Sequence, residues 1–221
     1  KINDLVNQYV TEINQELNNI YPNGPMSLTE PINYVFKGGG KRLRPLLTLF
    51  SSEACGGSKE DALSSALAVE ILHNFTLVHD DIMDHDSIRH GQKTVHKMWD
   101  EGIAILVGDA MLSISLKLLN NSSKTSSIKM TKFFDGLLSV CEGQALDKEF
   151  ESKQNVNYEE YVEMIDLKTG HMIGLAAELG ALCAGVDQEI YESIRDYGRL
   201  VGRAFQIQDD YLEIYSDSIN M

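Results

Sequence analysis

Apolar residues recur along this chain at spacings of three and four positions, which is the period of an α-helix that buries one face. The first such stripe runs through Ile2, Leu5, Val6, Tyr9, Ile13, Leu17 and Ile20. Pro22, Gly24 and Pro25 follow it, and these residues end helices. The pattern therefore predicts a helix from residue 2 to about residue 20.

The same period continues over most of the remaining chain. Pro45 is expected in the first turn of a helix that ends near Gly56 and Gly57. Ser58 and Asp61 have the spacing of a capping box, which predicts the start of a helix that runs into the aspartates after Val78. Further helices are predicted over 101–119, 127–150, 158–184 and 188–215, with N-caps at Asn157 and Asp187 and a polar loop at 120–127.

The sequence shows no strand-length alternation, internal repeat or long linker, so one all-α domain over residues 1–221 is expected. Its net charge of −14 argues against nucleic acid or an anionic membrane as partner. The start, KINDLVNQYV, does not resemble a signal peptide, and no stretch approaches the ~20 apolar residues of a transmembrane helix. Three widely spaced cysteines indicate neither a disulfide framework nor a zinc site. These features predict a cytoplasmic protein.

A first acidic cluster follows the apolar part of the helix that contains Val78. Asp80 and Asp84 are one helical turn apart on the same face, with Asp81 beside them. Carboxylates this close repel each other, so a positive group is expected nearby. Their oxygens suit Mg²⁺, which takes a few carboxylates together with water and phosphate oxygens. Taken alone, the cluster is more typical of a solvated acidic helix end.

A second acidic cluster lies near the end of the sequence. Asp209, Glu213 and Asp217 are spaced by four residues, with Asp210 adjacent to the first of them. An antiparallel pair of helices can bring this face opposite the first cluster. Two such faces predict a multinuclear Mg²⁺ site that a diphosphate completes.

Basic residues accompany both clusters. The segment GGGKRLRP contributes Lys41, Arg42 and Arg44 on a glycine-rich approach, where the backbone can come close to an anion. Arg89 follows the first cluster, and Lys168 lies with Thr169 in the helical segment MIDLKTGHMIG. In a chain this acidic, the grouping favours diphosphate binding.

With these segments in order, the chain closely resembles the trans-isoprenyl diphosphate synthases, also called polyprenyl synthetases. The matching motifs are GGGKRLRP, HNFTLVHDDIMD, R-x-G-x-x-T-V-H, GDAML, GQALD, LKTG and FQIQDDYLE. The resemblance implies a single-domain, isoprenoid-synthase-type bundle of mostly antiparallel helices around a central cavity, usually as a homodimer. It also implies head-to-tail condensation of isopentenyl diphosphate with an allylic diphosphate.

The resemblance further implies a role for each matching residue. The expected ligands of about three Mg²⁺ ions per active site are Asp80, Asp81, Asp84, Asp209, Asp210 and Glu213. Arg89, Lys168 and Gln206 are expected to contact the allylic diphosphate. The expected residues for isopentenyl diphosphate are Lys41, Arg44, His73 and His90. Thr169 is expected near the developing carbocation.

The chain departs from the family pattern at three places. His90 stands where a second arginine is common, which makes one isopentenyl diphosphate contact weaker or pH-dependent. Glu213 replaces an aspartate but keeps the charge. The sequence stops at Met221, whereas family members usually continue, so the C-terminal helices are expected to be missing.

Thr76 lies about one turn before Asp80, and Phe75 is its neighbour. The resemblance implies that these two positions help to set product length, because in the family a bulky ring there closes the bottom of the cavity. Phe75 predicts a C15 or C20 product, and geranylgeranyl diphosphate is favoured. Three alternatives remain open: a synthase of longer chains, a non-catalytic partner subunit of a synthase, and a terpene cyclase. A cyclase needs no isopentenyl diphosphate site, and a partner subunit is expected to have lost acidic ligands.

Overall fold

The computed structural model describes residues 2–120 and 126–216. The helices are α1 (Ile2–Asn18), α2 (Met26–Lys37), α3 (Leu43–Ala54), α4 (Lys59–Met83), α5 (Val95–Met98), α6 (Glu101–Asn120), α7 (Ser126–Phe150), α8 (Tyr158–Ile165), α9 (His171–Ala184) and α10 (Gln188–Ser216). A π-helical turn, Asp166–Gly170, joins α8 to α9 and is called the π-turn below. The predicted loop at 120–127 lies largely outside the described ranges, and so does Asp217.

The all-α prediction is confirmed, and several predicted boundaries are fixed by side-chain caps. Ser58 caps α4, where its hydroxyl accepts a hydrogen bond from the Asp61 amide at 3.2 Å. Asn157 and Glu160 form a complete capping box at the start of α8. These caps satisfy amides that the first turn of a helix leaves without partners.

Helix α4 lies at the centre of the fold. It packs against α3, α6 and α9, and α9 in turn packs against α10. Its middle section is buried on all sides, as Leu67, Ile71 and Leu72 show. A helix surrounded in this way is apolar around its whole circumference. The aspartates at its C-terminal end are therefore carried by a helix whose middle section is held on all sides.

Two elements differ from the sequence prediction. Residues between Pro25 and Gly38 form α2, although Pro31 lies inside this helix. A short antiparallel hairpin pairs Ile88–Arg89 (β1) with Gln92–Lys93 (β2), where no strand was predicted. Its two turn residues, His90 and Gly91, both have positive φ, as type I′ hairpin turns require.

The predicted helix over 158–184 is not continuous, because the π-turn interrupts it. Glycines allow neighbouring helices to approach this turn closely. A Cβ on Gly202 of α10 would lie 2.8 Å from the Cα of Gly170. A Cβ on Gly143 of α7 would lie 2.4 Å from the backbone nitrogen of Lys168. The π-turn is therefore held between α7 and α10.

Helix α6 is apolar over most of its length. It is the one helix in the described ranges with the length and composition to cross a membrane, with a mean hydropathy of 1.8 over its most apolar window, 39% of which is buried. This differs from the sequence expectation that no such stretch exists. One face of α6 packs into the core through Ala104, Val107 and Met111. The opposite side exposes Ile105 and Leu106.

Candidate active site

A cavity of about 540 Å³ opens between the start of α3 with the residues just before it, α4, the hairpin, the π-turn and α10. Most of the residues that the sequence predicted for the site line this cavity: Lys41, Arg44, His73, Thr76, Asp80, Arg89, His90, Lys168, Thr169, Gln206 and Asp209. Residues separated by more than 160 positions in the chain therefore meet at one site.

One part of the cavity wall is strongly basic and is called the basic wall below. Its residues are Lys41, Arg44, His73 and His90. The Nε atom of Arg44 is buried and has no hydrogen-bond partner among the described residues. Lys41 places its Nζ atom 5.9 Å from the centre of the Phe205 ring. Burial, followed by the charges of Arg44 and Arg89, holds the pKa of His73 well below its usual value. A wall with several positive groups and few carboxylate partners is suited to an anion with multiple charges.

Arg42 lines the same cavity but is committed to the fold. Its Nη1 atom donates to Glu70 at 2.7 Å, its Nε to Asn14 at 2.8 Å and its Nη2 to the carbonyl of Phe36 at 2.9 Å. Only 1% of its side chain is exposed. The expectation that Arg42 approaches an anion with Lys41 and Arg44 is therefore wrong, because its hydrogen bonds hold α1, α2 and α4 together.

The first acidic cluster lies at the end of α4, as its spacing predicted. Burial is the main cause that raises the pKa of Asp80 to about 6, and the neighbouring Asp84 raises it further. Asp81 is buried and accepts a hydrogen bond from Arg89 at 2.5 Å. Asp84 is the C-cap of α4, and its carboxylate lies 3.3 Å from the Nζ atom of Lys148. The positive charges of Lys168 and Arg89 act in the opposite direction on the pKa of Asp80.

The second acidic cluster lies on α10. Asp209 lines the cavity together with Gln206. Asp210 points elsewhere: its carboxylate accepts hydrogen bonds from Tyr161 at 2.5 Å and from Gln206 at 2.7 Å. Glu213 belongs to α10, but its side chain is not among those described. The two acidic clusters thus reach the cavity through Asp80 and Asp209.

The π-turn directs two polar residues toward the cavity. Lys168 pairs with Asp147 of α7 at 2.6 Å, and the hydroxyl of Thr169 donates to Gln206 Oε1 at 2.8 Å. π-helical turns occur frequently at functional sites, since they re-aim side chains within a helix.

Sequence reasoning did not single out Asp147, Lys148 or Tyr161. Asp147 is the last residue of the motif GQALD, so the motif itself was a signal for it. Tyr161 and Lys148 belong to ordinary helical patterns, and only the folded structure brings them to the aspartates.

Part of the cavity lining is apolar. Leu77, Val140, Met172 and Ile173 line it together with Thr76. Phe75 is half-buried, packs against both hydrophobic clusters of the core and lies edge-on to His79, with ring centres 4.8 Å apart. It is not among the described residues that line the cavity, so its control of product length stays a prediction.

The acidic residues fit Mg²⁺ by their chemistry. Across residues 2–120 and 126–216, no three His, Cys, Asp or Glu side chains converge closely enough to hold a metal ion alone. Asp80 and Asp209, which both line the cavity, offer carboxylate oxygens of the kind that Mg²⁺ takes together with phosphate oxygens and water.

Fold and site together define an all-α protein of the isoprenoid-synthase type, with acidic and basic residues around one cavity. The chain belongs to the polyprenyl synthetase family, whose model matches residues 25–221. It is 43% identical over 195 residues to the short chain isoprenyl diphosphate synthase of Methanothermobacter thermautotrophicus, covering 87% of this chain and 60% of that protein.

Two further relatives support this placement. The geranylgeranyl diphosphate synthase of Saccharolobus solfataricus is 40% identical over 216 residues, covering 96% of this chain and 65% of that protein. A solved geranylgeranyl pyrophosphate synthetase from Geoglobus acetivorans superimposes with a TM-score of 0.92 at 37% identity, covering 96% of this chain and 70% of that one. The chain thus spans 60 to 65% of the length of these two sequence relatives.

Proposed function

We propose that this protein is a Mg²⁺-dependent trans-prenyltransferase that condenses isopentenyl diphosphate head-to-tail with an allylic diphosphate. The observation that carries the proposal is a single cavity of about 540 Å³ that is lined by basic residues, by aspartates from both acidic clusters and by apolar residues. Two diphosphates need the charged part, and a growing hydrocarbon needs the apolar part. The names of the relatives, which are isoprenyl and geranylgeranyl diphosphate synthases, support the same substrate class.

The basic wall would bind isopentenyl diphosphate. Arg44 offers an unpartnered guanidinium nitrogen, and Lys41, His73 and His90 line the cavity beside it. Because the pKa of His73 is depressed, this side chain is neutral at pH 7 and would donate a hydrogen bond without adding charge.

The acidic clusters would hold the metal ions on the allylic diphosphate. Asp80, Asp84 and Asp209 are the proposed ligands, with Asp81 next to them in its ion pair with Arg89. When bound, Mg²⁺ supplies Lewis-acid stabilisation of the departing diphosphate. Arg89 and Lys168 would add fixed positive charge on the same group, which needs no reorganisation during the reaction.

The reaction that these residues support has three parts. The C–O bond of the allylic diphosphate breaks, and the electron pair leaves with the diphosphate between Arg89 and Lys168. The double bond of isopentenyl diphosphate then forms the new C–C bond, and the resulting cation loses a proton to the released diphosphate. Leu77, Met172 and Ile173 exclude water from the cation, since water would divert it to an alcohol. No nucleophilic side chain is required.

The product would be short, C15 to C20, and geranylgeranyl diphosphate is the favoured one. The support is the bulky Phe75 one turn before the first aspartates, beside cavity-lining Thr76. A longer-chain synthase is the alternative if the tail can pass this level.

The test is an assay with Mg²⁺, isopentenyl diphosphate and, in turn, dimethylallyl, geranyl and farnesyl diphosphate, with products sized by mass spectrometry. A ceiling at C15 or C20 supports the proposal, and Phe75→Ala should then lengthen the product. Products beyond C25 would keep the reaction class and remove Phe75 as the limit. Absence of condensation with every starter, despite diphosphate binding, would favour a partner subunit or a cyclase.

A homodimer in the cytoplasm is the proposed working form. Helices α6 and α7 pack together and expose large apolar side chains on their outer faces, namely Ile105, Leu106, Ile128, Phe134 and Leu138. We call this surface the α6–α7 strip. Large apolar side chains exposed on two helices that pack together support an interaction site on this side of the protein. The three cysteines are all free thiols, which is consistent with a reducing compartment.

A further inference from the structure

A chain of hydrogen bonds crosses the site from α8 to the π-turn. The Tyr161 hydroxyl donates to Asp210 Oδ2 at 2.5 Å. On the other oxygen of the same carboxylate, Gln206 Nε2 donates to Oδ1 at 2.7 Å. Thr169 then donates its hydroxyl to Gln206 Oε1 at 2.8 Å. Four residues on three elements are thereby linked, and the last of them reaches the cavity.

The carboxylate of Asp210 sets the direction of every bond in this chain. An ionised carboxylate only accepts hydrogen bonds, so both of its neighbours must donate. Gln206 must therefore turn its NH₂ group toward Asp210 and its carbonyl oxygen toward Thr169. Because that oxygen only accepts, the Thr169 hydroxyl must donate to it. The proton of Thr169 is thus fixed away from the cavity.

The fixed direction of the Thr169 hydroxyl would stabilise a cation in the cavity. With its proton committed to Gln206, the Thr169 oxygen can offer the cavity only lone pairs. Lone pairs stabilise positive charge, whereas an O–H proton directed at it would oppose the charge. Preoriented dipoles of this kind stabilise developing charge without a cost of reorganisation during the reaction.

We propose that Asp210 and Tyr161 are positioning residues that orient Gln206 and Thr169 toward the allylic cation, and that Asp210 is not a ligand of Mg²⁺. Both of its oxygens already accept hydrogen bonds from protein donors, whereas Asp209 next to it lines the cavity. This role replaces the metal-ligand role that the sequence motif suggested for Asp210. The inference rests on the proposed prenyltransferase function.

The first test separates metal binding from catalysis. Mg²⁺ binding in the presence of inorganic diphosphate is measured by calorimetry for the wild-type protein, Asp210→Asn and Asp209→Asn. We expect Asp210→Asn to bind within about twofold of wild type, and Asp209→Asn to lose at least about tenfold in affinity. Equal loss in both variants would overturn the inference, because Asp210 would then behave as a ligand. This measurement needs no turnover, so it is decided independently of the condensation assay.

A second test addresses orientation. Asp210→Asn replaces an acceptor-only group with one that also donates, so Gln206 and Thr169 can reverse. We expect kcat to fall at least about tenfold with KM for both diphosphates nearly unchanged. Tyr161→Phe should act in the same direction, whereas Tyr158→Phe, an exposed tyrosine on the same helix, should retain wild-type kcat.

The energetic coupling between Tyr161 and Thr169, measured by a double-mutant cycle, provides the decisive control. If Tyr161 acts through Asp210 and Gln206 on Thr169, then Tyr161→Phe should cost much less in a Thr169→Val background than in wild type. Fully additive losses would overturn the inference, as would a wild-type kcat in Asp210→Asn. A wild-type protein that condenses no substrate would instead contradict the proposed function.

Discussion

Two arginines in GGGKRLRP, Arg42 and Arg44, have different tasks in the folded chain. Arg42 has a left-handed backbone with φ of 50°, which a residue with a side chain adopts at a cost in free energy. Its three side-chain hydrogen bonds, including the ion pair with Glu70, offset that cost. Arg44 instead has a buried Nε atom at the cavity that finds no hydrogen-bond partner within residues 2–120 and 126–216.

The ion pair of Arg42 and Glu70 leads to a prediction about stability. Glu70→Gln removes the negative charge and leaves a buried guanidinium without compensation. We expect the free energy of unfolding to fall by about 3 kcal/mol, measured by urea denaturation. Glu12→Gln, which breaks the surface pair of Glu12 with Lys59, is the control and should change the midpoint little. Equal losses in the two variants would contradict a structural role for the buried pair.

His73 leads to a prediction about pH. Its pKa is lowered in the folded state by burial and by Arg44 and Arg89, so the unfolded state binds the proton more tightly. This effect is absent above the unfolded pKa of about 6.5 and removes stability as pH falls below it, by at most about 1.4 kcal/mol per pH unit. Asp80, whose pKa is raised to about 6, acts in the opposite direction over the same range. The His73 contribution is therefore measured as the difference between wild type and His73→Asn in urea midpoints from pH 7.5 to 5.5, and His73→Asn should remove the part of the slope that lowers stability as pH falls.

His85→Asn is the matched control for that prediction. His85 is exposed and has a positive φ, which asparagine tolerates. This variant should keep the wild-type slope. If it flattens the slope as much as His73→Asn does, the pH dependence does not come from the basic wall.

Residue types and spacing predicted which charged residues form the site, but not the hydrogen-bond partner of each one. The aspartates at 80, 81 and 84 could be placed on one helix face from their spacing alone. By contrast, Arg42 and Arg44 look equivalent in the sequence, because their difference depends on the backbone angle at one position. The pairing of Asp210 with Tyr161 spans 49 residues and arises only from packing.

Among the elements, the π-turn connects the fold most directly with the proposed chemistry. It carries Lys168 and Thr169, and α7 approaches its backbone at Gly143. Since the contact at Gly143 is with backbone atoms, which cannot rotate away, an added methyl group would have to displace the turn.

Gly143→Ala tests this contact. Its Cβ would lie 2.4 Å from the Lys168 nitrogen, so we expect the turn to shift and kcat to fall at least about tenfold. Gly136→Ala is the matched control two turns earlier on α7. Its Cβ would meet the Leu175 side chain at 2.8 Å, which can move, so activity should be retained. Unchanged kcat in Gly143→Ala, with a native circular dichroism spectrum, would contradict the prediction.

The helical period and the capping residues predicted most elements. The sequence did not predict α2, the hairpin or the π-turn, each for a physical reason. Helix α2 was not predicted because Pro31 lies within it and other prolines and glycines surround it. A proline within a helix removes a backbone hydrogen bond and normally breaks the helix. The hairpin has two residues per strand, too few for any alternation. The π-turn sequence, DLKTG, differs little from that of an ordinary helix.

For the whole molecule, the most informative surface is the α6–α7 strip. A helix with charged residues on its outer face would need no partner, but here the outer faces carry Leu106, Phe134 and Leu138. Helix α6 is apolar over most of its length, yet its composition could not show which side the core leaves uncovered. That information depends on how α6 lies on α4.

The strip predicts the oligomeric state. We expect the wild-type protein to be a dimer by light scattering at micromolar concentration. Leu138→Glu should shift it to monomer, because an interface of two identical copies places this residue twice and must desolvate two charges. Ile190→Glu, at an exposed apolar position of α10, should remain dimeric. A monomeric wild type would contradict the prediction.

The π-turn also makes the length of one segment critical. A π-turn contains one residue more than the α-helical turn that it replaces, so it amounts to a single-residue insertion retained within the run from Tyr158 to Ala184. Deleting one residue from Asp166–Gly170 would convert its i→i−5 hydrogen bonds into α-helical i→i−4 bonds and leave the two flanking pieces nearly in phase. The side chains within the turn, Lys168 and Thr169 among them, would then point in other directions. This part of the chain therefore tolerates exchange of residues more readily than a change in their number.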